Sequence, residues 1–129
     1  SALRAQTRGY VPYSDFDAPV DDSHPLDTAA AAVVASAAIE LYQFTGKEDY
    51  LLTAQKTLDE LTAPPYLAEG SPYEAILTRG SHSYFDRPEE VGTIFGDFYF
   101  VEAMLRYRQL EGKVVVPSSR CKFANTFPR

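Results

Sequence analysis

Hydrophobic positions fall into three stretches of helical spacing, separated by polar segments rich in proline and glycine. In the first, Val34, Ala37, Ala38, Leu41 and Tyr42 recur every three or four residues within an alanine-rich run. This spacing predicts a helix over 28–44, with Asp27 at the N-cap and Gly46 as its stop. In the second, Tyr50, Ala54, Leu58 and Leu61 form a stripe with Leu51 beside it, predicting a helix over 47–62. Glu48 and Asp49 suit the positive end of its dipole, and Pro64 and Pro65 end it. The very short connection between the two predicts an antiparallel αα-hairpin. A third helix is expected from about Asp97 to Gln109, ended by Gly112. Phe98, Val101 and Leu105 share one of its faces, with Phe100, Met104 and Tyr107 close by. Asp97 reads as its cap, and packing as the role of Phe98, Tyr99 and Phe100.

The remaining segments carry weaker patterns. Residues 1–27 read as irregular, because Pro12, Pro19 and Pro25 each hold the preceding residue extended. "EAILT", 74–78, suits a short strand or a buried extended piece. "RGSHSYFDRPEEVG", 79–92, reads as an exposed loop. The expected organisation is one domain over 1–112 and an irregular basic tail over 113–129, in which "KVVV" is strand-like. The fold class is all-α. Helices lined by alanine come close together but bury little area each, at roughly 25 cal/mol per Å². Such helices suit a larger array, so this chain is expected to lean on further helices.

Composition narrows the functional classes. The chain has 129 residues, 45% hydrophobic and 13% aromatic, enough for a packed core. Its net charge of -6 argues against nucleic acid as a partner, because phosphate binding needs a basic surface. No uninterrupted apolar run suits a membrane span, since Ser and Glu break the alanine run. One cysteine, Cys121, rules out an internal disulfide and fits a reducing, cytoplasmic compartment. "SALRAQTRGY" lacks the apolar core of a signal peptide and begins without methionine, so a processed or partial chain is expected.

The acid-rich loop ahead of the first helix raises the question of catalysis. Asp15 and Asp17 sit two apart, and two nearby carboxylates can separate their pKa values for acid–base work. In extended backbone, however, alternate residues need not converge on one substrate atom, and short acids commonly brace turns or cap helices. The brace is the preferred reading. A metal site from Asp15, Asp17, Asp21 and Asp22 is disfavoured: the loop lacks the turn glycine of a calcium loop and is broken by Pro19. His24 has no His or Cys at ligand spacing.

Three blocks then carry a resemblance. "VPYSDFDAP", "LDTAAAAVVASAAIEL" and "GDFYFVEAMLRY" resemble, in order and spacing, the C-terminal part of the unsaturated glucuronyl hydrolases, glycoside hydrolase family 88. The match runs from about Gly9 to Tyr107. It departs at Ser14, where the family usually has tryptophan. The resemblance implies an incomplete portion of an (α/α)6 toroid. It also implies an enzyme class that removes the terminal unsaturated uronic acid from lyase-generated oligosaccharides. In that class an aspartate protonates the C4–C5 double bond, water adds at C5, and the hemiketal rearranges to release the sugar. No metal or organic cofactor is implied. The family's catalytic aspartates lie in its N-terminal half, which nothing here matches, so no catalytic residue is assigned and the isolated chain is expected to be inactive. The implied partners are an unsaturated oligosaccharide and the remaining half of the toroid. The alternative is a noncatalytic helical module that binds glycan or protein.

The same resemblance singles out "LTRGSHSYF", residues 77–85. The corresponding family loop often reads S-x-x-S-H-K at the pocket rim, and in some members its Ser and Lys receive a sulfate on the sugar. Thr78, Ser81 and His82 match this arrangement, Ser83 replaces the lysine, and Arg79 offers a charge instead. Hydroxyls, imidazole and guanidinium together suit an anionic sugar. Tyr84 suits stacking on a sugar ring, and Phe85 packing beneath the loop. The expected substrate contacts are therefore Thr78, Arg79, Ser81, His82, Ser83 and Tyr84.

Overall fold

In a computed structural model the described residues are 7–15, 17, 19, 24–83 and 87–112. Three helices dominate: α1 (Thr28–Thr45), α2 (Glu48–Leu61) and α3 (Ile94–Leu110). α1 is central and packs against both others, which touch each other only lightly. Two short antiparallel ribbons accompany them: β1 (Thr7–Arg8) with β2 (Val11–Pro12), and β3 (Gly80–Ser83) with β4 (Arg87–Val91).

α1 begins and ends as its sequence predicts. The Asp27 carboxylate accepts the N–H groups of Ala29 and Ala30 at 3.0 and 3.3 Å. Gly46 takes the left-handed conformation, φ 68°, and donates its N–H to the Tyr42 carbonyl. The buried face differs from the expected stripe. Ala31, Ala32, Ala35, Ser36, Ala38 and Ile39 face the core, whereas Val34 and Leu41 remain 43% and 44% exposed. The physical reason is distance: methyl-sized side chains let two neighbouring helices approach the same cylinder, and Ile39 is the one long apolar side chain of α1 that is fully buried. By length and composition α1 is also apolar enough to cross a membrane, but its small-residue face is a packed surface in this fold.

α2 follows its predicted stripe, with Ala54, Leu58 and Leu61 buried and Tyr50 packed at the margin of the core. α3 does not. Its inward residues are Gly96, Phe100 and Ala103, with Tyr99, Met104 and Tyr107 packed against the core. Phe98, Val101 and Leu105 point outward, 60%, 42% and 45% exposed. Packing therefore holds for Phe100 and not for Phe98, whose ring meets Tyr99 edge-on at 5.1 Å. The cap is also corrected: Thr93 is the N-cap, accepting the Gly96 N–H at 3.1 Å, and Asp97 lies inside the first turn.

Polar clasps tie the helices. The Ser36 hydroxyl donates to Glu102 at 2.6 Å, and Arg106 reaches the Ser36 carbonyl, Glu40 and Glu102. Gln55 of α2 donates to the Tyr107 hydroxyl at 2.9 Å. Upstream, Gly9 turns the first ribbon with φ 70°, so close to Glu60 that a side chain there would collide with its carboxylate. Glu60 in turn accepts the Tyr10 N–H at 2.7 Å. Residues 1–27, expected to be irregular, thus contain this ribbon and a bridge from Tyr13 to Leu26.

"EAILT" is an extended piece: Leu77 bridges Leu67, and Ala68 and Thr78 bond backbone to backbone with Ile76 and Tyr66. The segment over 79–92 is not simply an exposed loop. Gly80 pairs with Val91, Ser81 with Glu90 and Ser83 with Arg87, with a register irregularity between Ser81 and Ser83. No alternation of apolar residues marks these strands, so their pairing rests on backbone bonds. The tail over 113–129 lies outside the described residues.

Candidate functional site

Segment 76–81 is where the elements converge. Thr28, the first residue of α1, donates its hydroxyl to the Thr78 carbonyl at 2.6 Å and its N–H to the Arg79 carbonyl at 3.2 Å. Asp27, besides capping α1, lies 3.4 Å from the Ser81 amide and accepts its N–H. From the other side, Asp97 accepts the N–H groups of Ile76 and Leu77 at 3.0–3.1 Å. From below, the Thr78 hydroxyl donates toward the carbonyls of Pro65 and Tyr66 at 2.6 and 3.2 Å. The starts of α1 and α3 therefore hold one short segment between them. Acids at helix starts suit this role, because their charge answers the helix dipole and one carboxylate can accept several amides, as the Asp27 Oδ1 accepts those of Ala29, Ala30 and Ser81.

The segment carries a conformational exception. Arg79 has φ 61°, in the left-handed region that longer side chains rarely adopt. Its guanidinium lies over the Tyr66 ring, 5.8 Å from the centroid. Gly80 follows, buried, and a side chain there would press against the Val91 carbonyl at 2.7 Å.

Beside this segment opens a cleft of about 360 Å³. Thr78 and Arg79 line it together with Ser71, Tyr73 and Gly92. Of the expected contacts, the structure thus brings Thr78 and Arg79 to one cavity. Ser81 is half-buried on β3, facing Asp27 through its amide. For His82 and Ser83 only their place in β3 is described, and Tyr84 and Phe85 lie outside the described residues. The residue that sequence reasoning missed is Tyr73, 65% exposed on the cleft wall. Its signal was an aromatic directly after Pro72 in a loop, where nothing in the hydrophobic pattern required one.

The acid pair ahead of α1 lies apart from these contacts. The Asp15 carboxylate accepts the Asp17 N–H at 2.9 Å, a local turn brace, and both residues are exposed. Asp21 and Asp22 lie outside the described residues. His24 is half-buried beside Pro25. The hydroxyl oxygen of Ser14 is buried with no hydrogen-bond partner among the described residues.

No family model matches the chain. The unsaturated glucuronyl hydrolase of Formosa agariphila is 34% identical over 102 residues, which make up 78% of this chain and 26% of that protein. A solved unsaturated glucuronyl hydrolase specific for heparin is similar with a TM-score of 0.74 and 29% identity, over 84% of this chain and 30% of its own. A second structure, named with dGlcA-Glc-Rha-Glc, gives a TM-score of 0.72 and 26% identity, over 85% of this chain and 30% of the other. The chain spans between about a quarter and a third of these relatives, and its three helices match part of their (α/α)6 toroid.

Proposed function

Because this chain is homologous to one portion of the unsaturated glucuronyl hydrolases, about 30% of their length, we propose that it supplies glycan-contacting structure to an enzyme of that kind and not its proton donor. In this reading the substrate is an oligosaccharide ending in an unsaturated uronic acid. An aspartate elsewhere in the enzyme protonates C4 of the double bond, and water adds at C5. The hemiketal then opens and the glycosidic bond breaks. The part of this chain is to hold the sugar while that happens, which converts binding energy into orientation.

The observation that carries the reading is the convergence on 76–81. Two helix starts and an underlying loop hold this segment: Thr28 donates to the carbonyls of Thr78 and Arg79, Asp97 accepts the amides of Ile76 and Leu77, and the Pro65 and Tyr66 carbonyls accept the Thr78 hydroxyl. A polar segment held this firmly at the edge of a cleft suits recognition, since its contact groups are positioned before the ligand arrives. In the acid pair that first suggests catalysis, Asp15 braces the Asp17 amide, and the helix-start acids Asp27 and Asp97 are engaged in backbone bonds.

The test is to incubate the purified chain with an unsaturated uronic acid disaccharide. We expect the absorbance of the conjugated double bond to persist, while calorimetric titration with the same compound shows binding. Turnover by this chain alone would remove the claim that the proton donor lies elsewhere. A calorimetric trace with no saturable heat would remove the claim of glycan contact.

A further inference from the structure

One face of α3 has no covering element among the described residues. Ile94, Phe98, Val101 and Leu105 stand along it, all exposed, and with Ile76 they line an apolar groove of about 540 Å³. A contiguous apolar strip of this kind marks an interaction surface. The polar residues of the groove are both acidic, Asp97 and Glu102. Among the described residues Asp97 meets the amides of Ile76 and Leu77 and no cation. Arg106 reaches Glu102 and also Glu40, so that triad keeps one carboxylate in excess. The occupant such a groove favours is apolar and basic. A second copy set seam to seam would instead bring the same carboxylates together, and like charges across an interface oppose association.

The chain carries a segment of the favoured kind directly after α3. Over 113–129 it has a run of three valines from Val114, and the cations Lys113, Arg120, Lys122 and Arg129. All 18 acidic residues of the chain lie before it. Gly112, at φ 66°, takes the left-handed conformation with which helices end, so the chain leaves the axis there. Pro117 restricts Val116 to extended backbone. Along α3, Ile94 lies about 27 Å from Gly112, at about 1.5 Å per helical residue. Extended chain at about 3.3 Å per residue covers that distance in about nine residues, which would bring Cys121 level with Ile94.

We propose that segment 113–129 returns along α3 and covers its outward seam, with the valines against Leu105 and Arg120 beside Asp97. The apolar contact supplies the attraction, and the charges select this occupant over a second copy.

Cys121 is the only cysteine, so a nitroxide can be placed there without any substitution. Paramagnetic broadening of the amide signals of the full chain then reads the distance to each residue of α3. A tail that trails away would broaden Leu110 most and Ile94 least. The docked tail reverses the gradient: Ile94 and Phe98 should lose more than half of their intensity, and Leu110 less. Nitroxide-labelled chain mixed with isotope-labelled, nitroxide-free chain should leave α3 unbroadened, because the contact lies within one chain. Phe98→Gln with Leu105→Lys, or Arg120→Glu with Lys122→Glu, should restore the gradient of a trailing tail. Broadening strongest at Leu110 in the unsubstituted chain would overturn the proposal. So would broadening of α3 in the mixed sample, which would seat a second copy in the groove. A reversed gradient that survives either double variant would overturn it too, by placing the contact elsewhere or removing its charge basis.

Discussion

The Thr28 hydroxyl donates to the Thr78 carbonyl oxygen at 2.6 Å, joining the first turn of α1 to a segment 50 residues later. Thr28 is 1% exposed, so water cannot readily replace the bond. Thr28→Val keeps the shape and removes the donor, leaving the Thr78 carbonyl without it. We expect a loss of about 1–2 kcal/mol, the usual cost of stranding a buried acceptor. Thr28→Ser, which keeps the hydroxyl, should lose less. Urea unfolding of the three proteins checks the order; a Val variant as stable as the parent would mean that the bond is idle.

Asp97 holds the same segment from the opposite side, and its role differs from the cap its position suggests. Asp97→Ala strands the amides of Ile76 and Leu77, both bonded to one carboxylate. Bonds to charged groups are the stronger kind, so we expect a loss of about 2–3 kcal/mol. Thr93→Ala removes the true cap and should cost about 1 kcal/mol. Thermal unfolding gives the ranking, and faster hydrogen exchange at Ile76 and Leu77 in the Asp97 variant locates the damage. The reverse ranking would return Asp97 to a capping role.

What could be read in advance follows from the range of the interactions involved. Helix limits depend on residues a few positions apart, and Asp27, Gly46 and the Pro64–Pro65 stop were legible for that reason. Which face of a helix is buried depends on what else is present. On α1 Val34 and Leu41 carry larger apolar side chains, yet alanines take most inner positions because two helices share its surface, while on α3 Phe98 and Leu105 face outward and Phe100 and Ala103 face in. The β3–β4 pairing was hidden because its strands lack alternation. Thr78 and Arg79 were named through family resemblance. Asp97 was missed in its role because it acts on residues 20 and 21 positions away, and Tyr73 because no hydrophobic pattern marks its loop.

The outward face of α3 gives the last prediction. Ile94, Phe98, Val101 and Leu105 recur at spacings of four, three and four, the seam a helix presents to a helical neighbour. With Ile76 they line an apolar groove of about 540 Å³, and Ile94 is 78% exposed. A residue already in water loses little when made polar, whereas one in the core leaves a cavity. Phe98→Gln with Leu105→Lys should therefore change the stability of this chain by less than about 1 kcal/mol. Phe100→Ala, 6% exposed, should cost about 3–5 kcal/mol. The double variant should also scatter less light at high concentration, because exposed apolar patches drive association. Urea unfolding and light scattering measure both effects. A loss above about 2 kcal/mol in the double variant would place the seam inside the chain's own core. A small loss identifies it as exposed surface of the described fold.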